Sequence, residues 1–362
     1  MNFNSRYPIA IDLSDGAELG ALQMAEDRGA PLIRAMLRRE TAATEGGPPE
    51  EDVQSFLRDV LRHPAFQGKS VALLPPPGAV RCYPLRVEVG KEETFEAALI
   101  RLAQGVLDIP IAEMLLDYAS VQEEEPSDQH RYQVFLVAIR KETVAHYLDL
   151  VRKAGGALEV VEFAASALLR LHALAAAKRN PVLLCKIGRA ETVLAVASRN
   201  AILAHRGAPW GTSRLIRNLV DNLNLGGGAR DADFLLRKHG LLQAVRSDTP
   251  APMPEAGDDI SQTVAQLLAP QVEELLHECH NLMAYVRSGT PTVVFDGLFV
   301  YGHGTRVAGL TPYLARELNV EAHTMNPLEK LGALNLQTVS GLGDGSNLAL
   351  ALGLAMRRIR WL

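Results

Sequence analysis

Residues 7–16, YPIAIDLSDG, are the stretch on which the fold turns. An apolar run containing Ile9 and Ile11 is closed by Ser14-Asp15-Gly16, which reads as a buried strand entering a tight turn. Residues 19–24 and 31–37 continue as two more strands of a meander, although 34–39 also fits a helix. Doubly wound dehydrogenases do not open on meanders, so that fold class is demoted.

Outward from this start the pattern alternates. Residues 50–62 carry Val53, Phe56, Leu57, Val60 and Leu61 at helical spacing behind acidic residues. A strand at 70–74 stops at Pro75-Pro76-Pro77-Gly78, and 81–89 is a further strand. Thr94 caps a helix with Phe95, Leu99, Leu102 and Val106 on one face. Strands at 114–121 and 133–140 flank the acidic loop 122–129, and a helix over 142–153 ends at Gly155-Gly156. This stretch reads as a unit able to bury its own small sheet against two helices.

A helix over 164–177 follows. A second meander then occupies 182–187, 192–197 and 201–206, turning at Gly188-Arg189 and Arg199-Asn200. A helix over 212–224, a flexible loop at 247–259, a long helix near 260–286, a strand at 292–295, Gly302-His303-Gly304 and a helix over 309–318 come next. The chain closes with a Gly-rich loop at 341–345 and a last helix. Two meander-plus-helix halves around an inserted unit suggest duplication of structure.

The 362 residues exceed what one compact core holds and fit two lobes. A net charge of −5 argues against nucleic acid as main partner. Cys82, Cys185 and Cys279 lack CxxC spacing and read as buried thiols in a reducing compartment. No segment approaches the ~20 apolar residues of a membrane-spanning helix, and the N-terminus shows no signal-peptide core. Cytoplasmic location is the expectation, with membrane association through a partner.

The ordered motifs resemble PilM-like type IV pilus assembly proteins of the actin-like fold group. Residues 7–16 resemble the first phosphate loop of actin-like ATPases. FEAALIRLAQGVLDIPIAEMLLDY (95–118) and LVAIRKETVAHYLDLVRKAG (136–155) resemble the small inserted subdomain shared with the division protein FtsA. ECHNLMAYV (278–286), VYGHGTRVAGL (300–310) and LGLAMRR (352–358) resemble the long helix, the adenosine-side loop and the closing helix. The resemblance implies a mixed α/β, two-lobed actin-like fold. Its divisions would be a first-lobe segment (1–69), the insert (70–155), a first-lobe helix (156–180), a second-lobe segment (181–330) and a returning helix (331–362).

The resemblance also implies a nucleotide cleft formed by Asp12, Ser14, Gly16, Lys186, Gly188, Gly302 and Gly304. Two turns would cradle phosphates through backbone N–H groups, and an Asp beside each would hold hydrated Mg²⁺. Here Asp12 remains, but Ser14 replaces a glycine and Lys186 stands where the second carboxylate belongs. An ammonium cannot coordinate Mg²⁺, although it could pair with a phosphate directly. Tyr301 and His303 stand where small residues leave room. A degenerate site without a cofactor is the expectation; ATP with Mg²⁺ is the alternative, as an active actin-like ATPase or a filament former.

By the same resemblance, a groove beside the insert, with Phe95, Leu99, Leu102, Ile109 and Pro110, would receive the extended N-terminal tail of a PilN-like membrane protein. Pilus motor ATPases would be further partners. His277 and His280 with Glu273, Glu274 and Glu278 read as a solvated helix face rather than a metal site. Ser166 and Ser213 sit in no nucleophile pattern. Arg357, Arg358 and Arg360 read as a basic last helical turn.

Overall fold

The computed structural model describes residues 7–27, 30–42, 47–90, 92–122, 130–173, 181–198, 201–246, 258–289, 292–326, 328 and 346–358. The Gly-rich loop 341–345, the acidic residues 123–129, the turn 199–200 and the end at Arg360 and Trp361 lie outside them.

β1 (Ile9–Asp15), β2 (Glu18–Asp27) and β3 (Ala30–Glu40) form the antiparallel meander. Arg34–Arg39 is thus strand, not helix. After α1 (Glu50–Arg62), β4 (Ser70–Leu74) returns parallel to β1. β5 (Val80–Val89), α2 (Phe95–Val106), β6 (Met114–Gln122) and β7 (His130–Arg140) follow. α3 (Lys141–Lys153), β8 (Ala157–Val161) and α4 (Ala164–Ala173) complete this half. Its main sheet has the order β3-β2-β1-β4-β8.

The second half repeats the design with β9 (Val182–Ile187), β10 (Thr192–Ser198) and β11 (Ala201–Ala208). Helices α5 (Thr212–Leu223), α6 (Ala229–Lys238), α7 (Leu242–Arg246) and α8 (Asp258–Gly289) precede β12 (Gly297–Gly302). α9 (Leu310–Leu318), β13 (Ala322–Thr324) and α10 (Ala349–Ala355) close the described chain. The order β11-β10-β9-β12-β13 matches the first sheet position for position. No helix of the described residues is long and apolar enough to cross a membrane.

Three readings need correction. The strand expected at 292–295 begins instead at Gly297, where β12 runs parallel to β9. Val293 and Phe295 turn their apolar side chains onto the second-lobe helices, outside the ladder. The stretch 70–155 is not one packing unit, because β4 pairs with β1 and β8. Tyr147, Leu150 and Val151 of α3 likewise pack with α1 against the first sheet. What buries its own small core is the sheet β5-β7-β6 with α2 alone, through Val87, Ala98, Leu99 and Val134. Finally, α6 and α7 fall where no helix was read.

Strand period 2 sorts the cores. Ile9, Ile11 and Leu13 face α1 and α3, while Ala10 faces α4 and α10. In β9, Leu183, Cys185 and Ile187 face the outer helices, while Val182 and Leu184 face α4, which lies on the second sheet as α10 lies on the first. α4 and α10 therefore form a shared middle layer between the two sheets. The two helices meet at Ala167 and Gly353, and Ala164, Ala165, Ala349 and Ala351 are further small residues of the same buried cluster. A β-carbon on Gly353 would lie 2.2 Å from the Ala167 carbonyl oxygen, so the two backbones meet where only hydrogen fits. Arg170 donates to the Gly353 carbonyl at 2.6 Å.

Gly353→Ala is expected to destabilise the protein by about 1–3 kcal/mol, although in an open helix alanine is favoured by ~1 kcal/mol. Thermal unfolding followed by circular dichroism reads the sign; a higher melting temperature would contradict the close approach.

Candidate functional site between the two sheets

The alternation that builds the middle layer also delivers its polar end. Asp12 follows Ala10 on the inner face of β1, Lys186 follows Leu184 on β9, and Tyr301 follows Phe299 on β12. Asp12, Lys186 and Tyr301 are all buried. Where the apolar run ends, the two sheets meet through charges.

The β9–β10 turn is held rigidly. Gly188 N–H donates to the Glu191 carbonyl at 2.9 Å. The first residues of α5 take the turn's carbonyls, Thr212 N–H to Gly188 at 3.0 Å and Ser213 N–H to Arg189 at 2.9 Å. The N–H groups of Arg189 and Ala190 donate instead to the Asp15 carboxylate, at 2.6 and 3.0 Å. Asp15 also accepts from Ala17 N–H at 3.1 Å, and Lys186 Nζ lies 3.5 Å from its Oδ2. One carboxylate from the first hairpin therefore fills an anion nest on the second. A β-carbon on Gly188 would fall 1.9 Å from Asp15 Oδ2, so glycine is what admits the carboxylate. Within the first turn, Asp12 accepts from Ser14 N–H at 2.9 Å.

A second polar strut stands beside the first. Buried Glu18 accepts from Arg38 at 2.9 Å and from Asn347 Nδ2 at 3.0 Å, and its Oε2 lies 3.1 Å from His303 Nε2. His303 opens the 3₁₀ turn His303–Arg306 after β12, and Asn347 lies in the turn Ser346–Leu348 before α10. Arg189 reaches Glu40 at 2.8 Å, and Arg38 reaches the same carboxylate at 3.2 Å.

Burial pushes the Asp12 carboxyl upward, with Lys186 pulling the other way. For Asp15 burial opposes ionisation, yet Lys186 and the N–H groups of Ala17, Ala190 and Arg189 outweigh it and hold the group low. Lys186 stays charged because Asp15, Asp12 and Glu18 together outweigh its desolvation. Burial and the Asp15 charge raise the Glu191 carboxyl to about 7.

Of the residues expected at a nucleotide cleft, Asp12, Ser14, Lys186 and Gly188 do converge here. Gly16 lies in the first turn, its carbonyl accepting from Thr41 Oγ1 at 3.2 Å. Gly302 ends β12 at φ +80°, and Gly304 packs on Ile187. Tyr301 is fully buried in the middle layer. Asp15, Glu18, Arg189 and Asn347 carry much of the geometry and were not singled out from sequence. An Asp-Gly pair is an ordinary turn signal, and nothing local marks a glutamate whose amide partner lies 329 positions away.

The donor set does not suit a hydrated divalent cation: the Asp15 carboxylate is taken by backbone donors and an ammonium that no metal would share. Among the described residues no group of three or more His, Cys, Asp and Glu is placed to hold a metal. His277 and His280 stand on the exposed face of α8, where Glu278 pairs with Arg206 and Glu274 with Arg214. Arg357 lies 3.6 Å from Glu162, and Arg358 pairs with Glu159.

Of the expected groove residues, Phe95, Leu99 and Leu102 turn toward the small sheet, Phe95 lying 4.8 Å from the Tyr132 ring. Ile109 is half-buried and Pro110 exposed on the loop after α2. Ile100 and Val106 present apolar surface outward.

Lys186→Met would leave buried carboxylates without their cation, and a loss of about 3–5 kcal/mol is expected at neutral pH. The Asp15 contribution is present above its unfolded pKa near 3.8 and lost as pH falls through the lower folded value. That of Lys186 is present below 10.5 and lost only above its raised folded value. The gap between wild type and variant should therefore hold steady from neutral pH down to about 4 and narrow only as the pH falls below the unfolded value near 3.8, read by chemical denaturation; a gap unchanged at that lower pH would contradict the charge pairing.

A profile for "Type IV pilus assembly protein PilM" matches residues 32–359. No curated protein sequence matches the chain. Among solved structures, a chain of a "PilM-PilN type IV pilus biogenesis complex" is similar at 21% identity and TM-score 0.74, over 98% of this chain and 99% of that one. The ethanolamine utilization protein EutJ from Carboxydothermus hydrogenoformans is similar at 14% identity and TM-score 0.52, over 98% and 92%. MreB5 of Spiroplasma citri bound to ADP gives 13% identity and TM-score 0.51, over 97% and 95%. The repeated meander-and-helix halves are thus an actin-like fold, and the chain belongs to the PilM family of type IV pilus assembly proteins.

Proposed function

We propose that this chain is a cytoplasmic scaffold of a type IV pilus, or of a related type II secretion-like machine, and not a working ATPase. It holds the inner-membrane platform by gripping the N-terminal tail of a PilN-like membrane protein and links that platform to motor ATPases. The observation that carries this reading is the match of the whole chain to a structure determined as a PilM–PilN complex, within a shared family. The seam between the sheets supports the negative half, because its charged groups are satisfied by one another and leave Asp12 beside an ammonium.

An extended tail is captured through backbone hydrogen bonds, with side-chain pockets adding selectivity. Beside the small sheet, half-buried Ile109 and exposed Pro110 with the outward-facing Ile100 and Val106 are among the apolar groups placed to meet one, as are Leu115 and Tyr118 of β6. Phe95, Leu99 and Leu102 support that wall from behind. The second reading, an ATPase cycling nucleotide, is favoured by Asp12, which keeps its inward, buried place on β1.

A synthetic PilN-like N-terminal peptide should bind the purified chain, and Ile109→Asp should weaken it at least tenfold, about 1.4 kcal/mol, without lowering the melting temperature. Fluorescence anisotropy checks this, and unchanged affinity would place the tail elsewhere. In the same preparation no phosphate release from Mg-ATP is expected. Turnover abolished by Asp12→Ala would put the ATPase reading first.

A further inference from the structure

The Arg189–Ala190 turn has the chemistry of a phosphate-class anion site. Two consecutive N–H groups point the same way, because α5 holds the carbonyls of Gly188 and Arg189 from behind. A buried cation, Lys186, sits alongside. The position next to the nest is glycine, with no side chain to exclude an incoming oxygen. Every one of these donors is turned on the Asp15 carboxylate, which arrives from the other sheet.

We propose that Asp15 is a built-in anion ligand that clasps the two lobes together and keeps phosphate-bearing ligands out of this nest. The inference deepens the reading of the cleft as non-catalytic and rests on it. A closed arrangement that would otherwise need a bound anion is held by a covalently attached one, which competes as an intramolecular ligand. A free phosphate would have to displace a carboxylate that makes two backbone hydrogen bonds across the seam and is neutralised by Lys186. Glu18 with His303 and Asn347, and Glu40 with Arg189, flank the clasp and keep the hairpins in register.

The test uses the full chain, with inorganic phosphate and ATP as probes, each without Mg²⁺. Wild type should give no calorimetric binding signal at millimolar phosphate. Asp15→Ala empties the nest while leaving Lys186 and the turn in place. It should bind phosphate at least tenfold more tightly than wild type, melt lower without phosphate, and recover when phosphate is added. Small-angle scattering should show a larger radius of gyration for the variant, reversed by phosphate. If Asp15→Ala does not fold, Asp15→Ser, which keeps a turn-forming side chain too short to reach the nest, carries the same test by calorimetry. Folded variants that bind no phosphate and keep the wild-type radius would overturn the clasp and leave the scaffold reading standing. A further titration of wild type with ATP and Mg²⁺ separates the two readings: tight binding there, lost in Asp15→Ala, would overturn both.

Discussion

An ammonium and several carboxylates can be sealed from water only when each is the other's solvent. The contact of Lys186 and the Arg189–Ala190 backbone with Asp15 meets that requirement, and the relation between the two sheets hangs on it. Buried ion pairs add little net stability compared with apolar packing, but breaking one is costly. A contact of this kind sets which surfaces meet more than how tightly they hold. The affinity of one lobe for the other comes from the apolar layer behind it, where α4 and α10 are covered from both sides.

That layer explains why the duplicated halves need each other. Each five-stranded sheet has helices of its own on the outer face, α1 and α3 on one and α5 and α8 on the other. The inner faces share a single pair of helices. The small sheet β5-β7-β6 stands apart from this scheme, with its own modest core around Leu99 and Val134. It joins the first lobe at β5 and β7 and touches β11 of the second lobe along β5.

The sequence carried the architecture further than the site. The apolar run of β1, the three-strand meanders and the Thr94 cap were legible because local periodicity and turn chemistry decide them. Thr94 does accept from Ala97 N–H at 3.3 Å. Residues 292–295 read as strand because Thr-Val-Val-Phe has high β propensity, while the true strand opens on glycine and is fixed by pairing with β9. α6 was missed because it buries only Ala232 and Leu236 and follows three glycines. Lys186 stood out against a family pattern, whereas Asp15 looked like turn punctuation. Its role is tertiary, created by donors more than 170 positions away. The stripe Phe95, Leu99 and Leu102 announced an amphipathic helix, and periodicity alone cannot say what covers it.

The middle layer also fixes the order in which the molecule can be finished. α10 is the last described helix, yet it packs against α4, β1 and β2 from the first half. A chain emerging from the ribosome therefore has both meanders and most helices available long before the inner faces of its sheets can be covered. Until residues 349–355 arrive, Ala10, Leu22, Leu168 and Leu184 lack a wall of their core. Until then the nascent chain carries a large apolar seam that chaperones would be expected to meet.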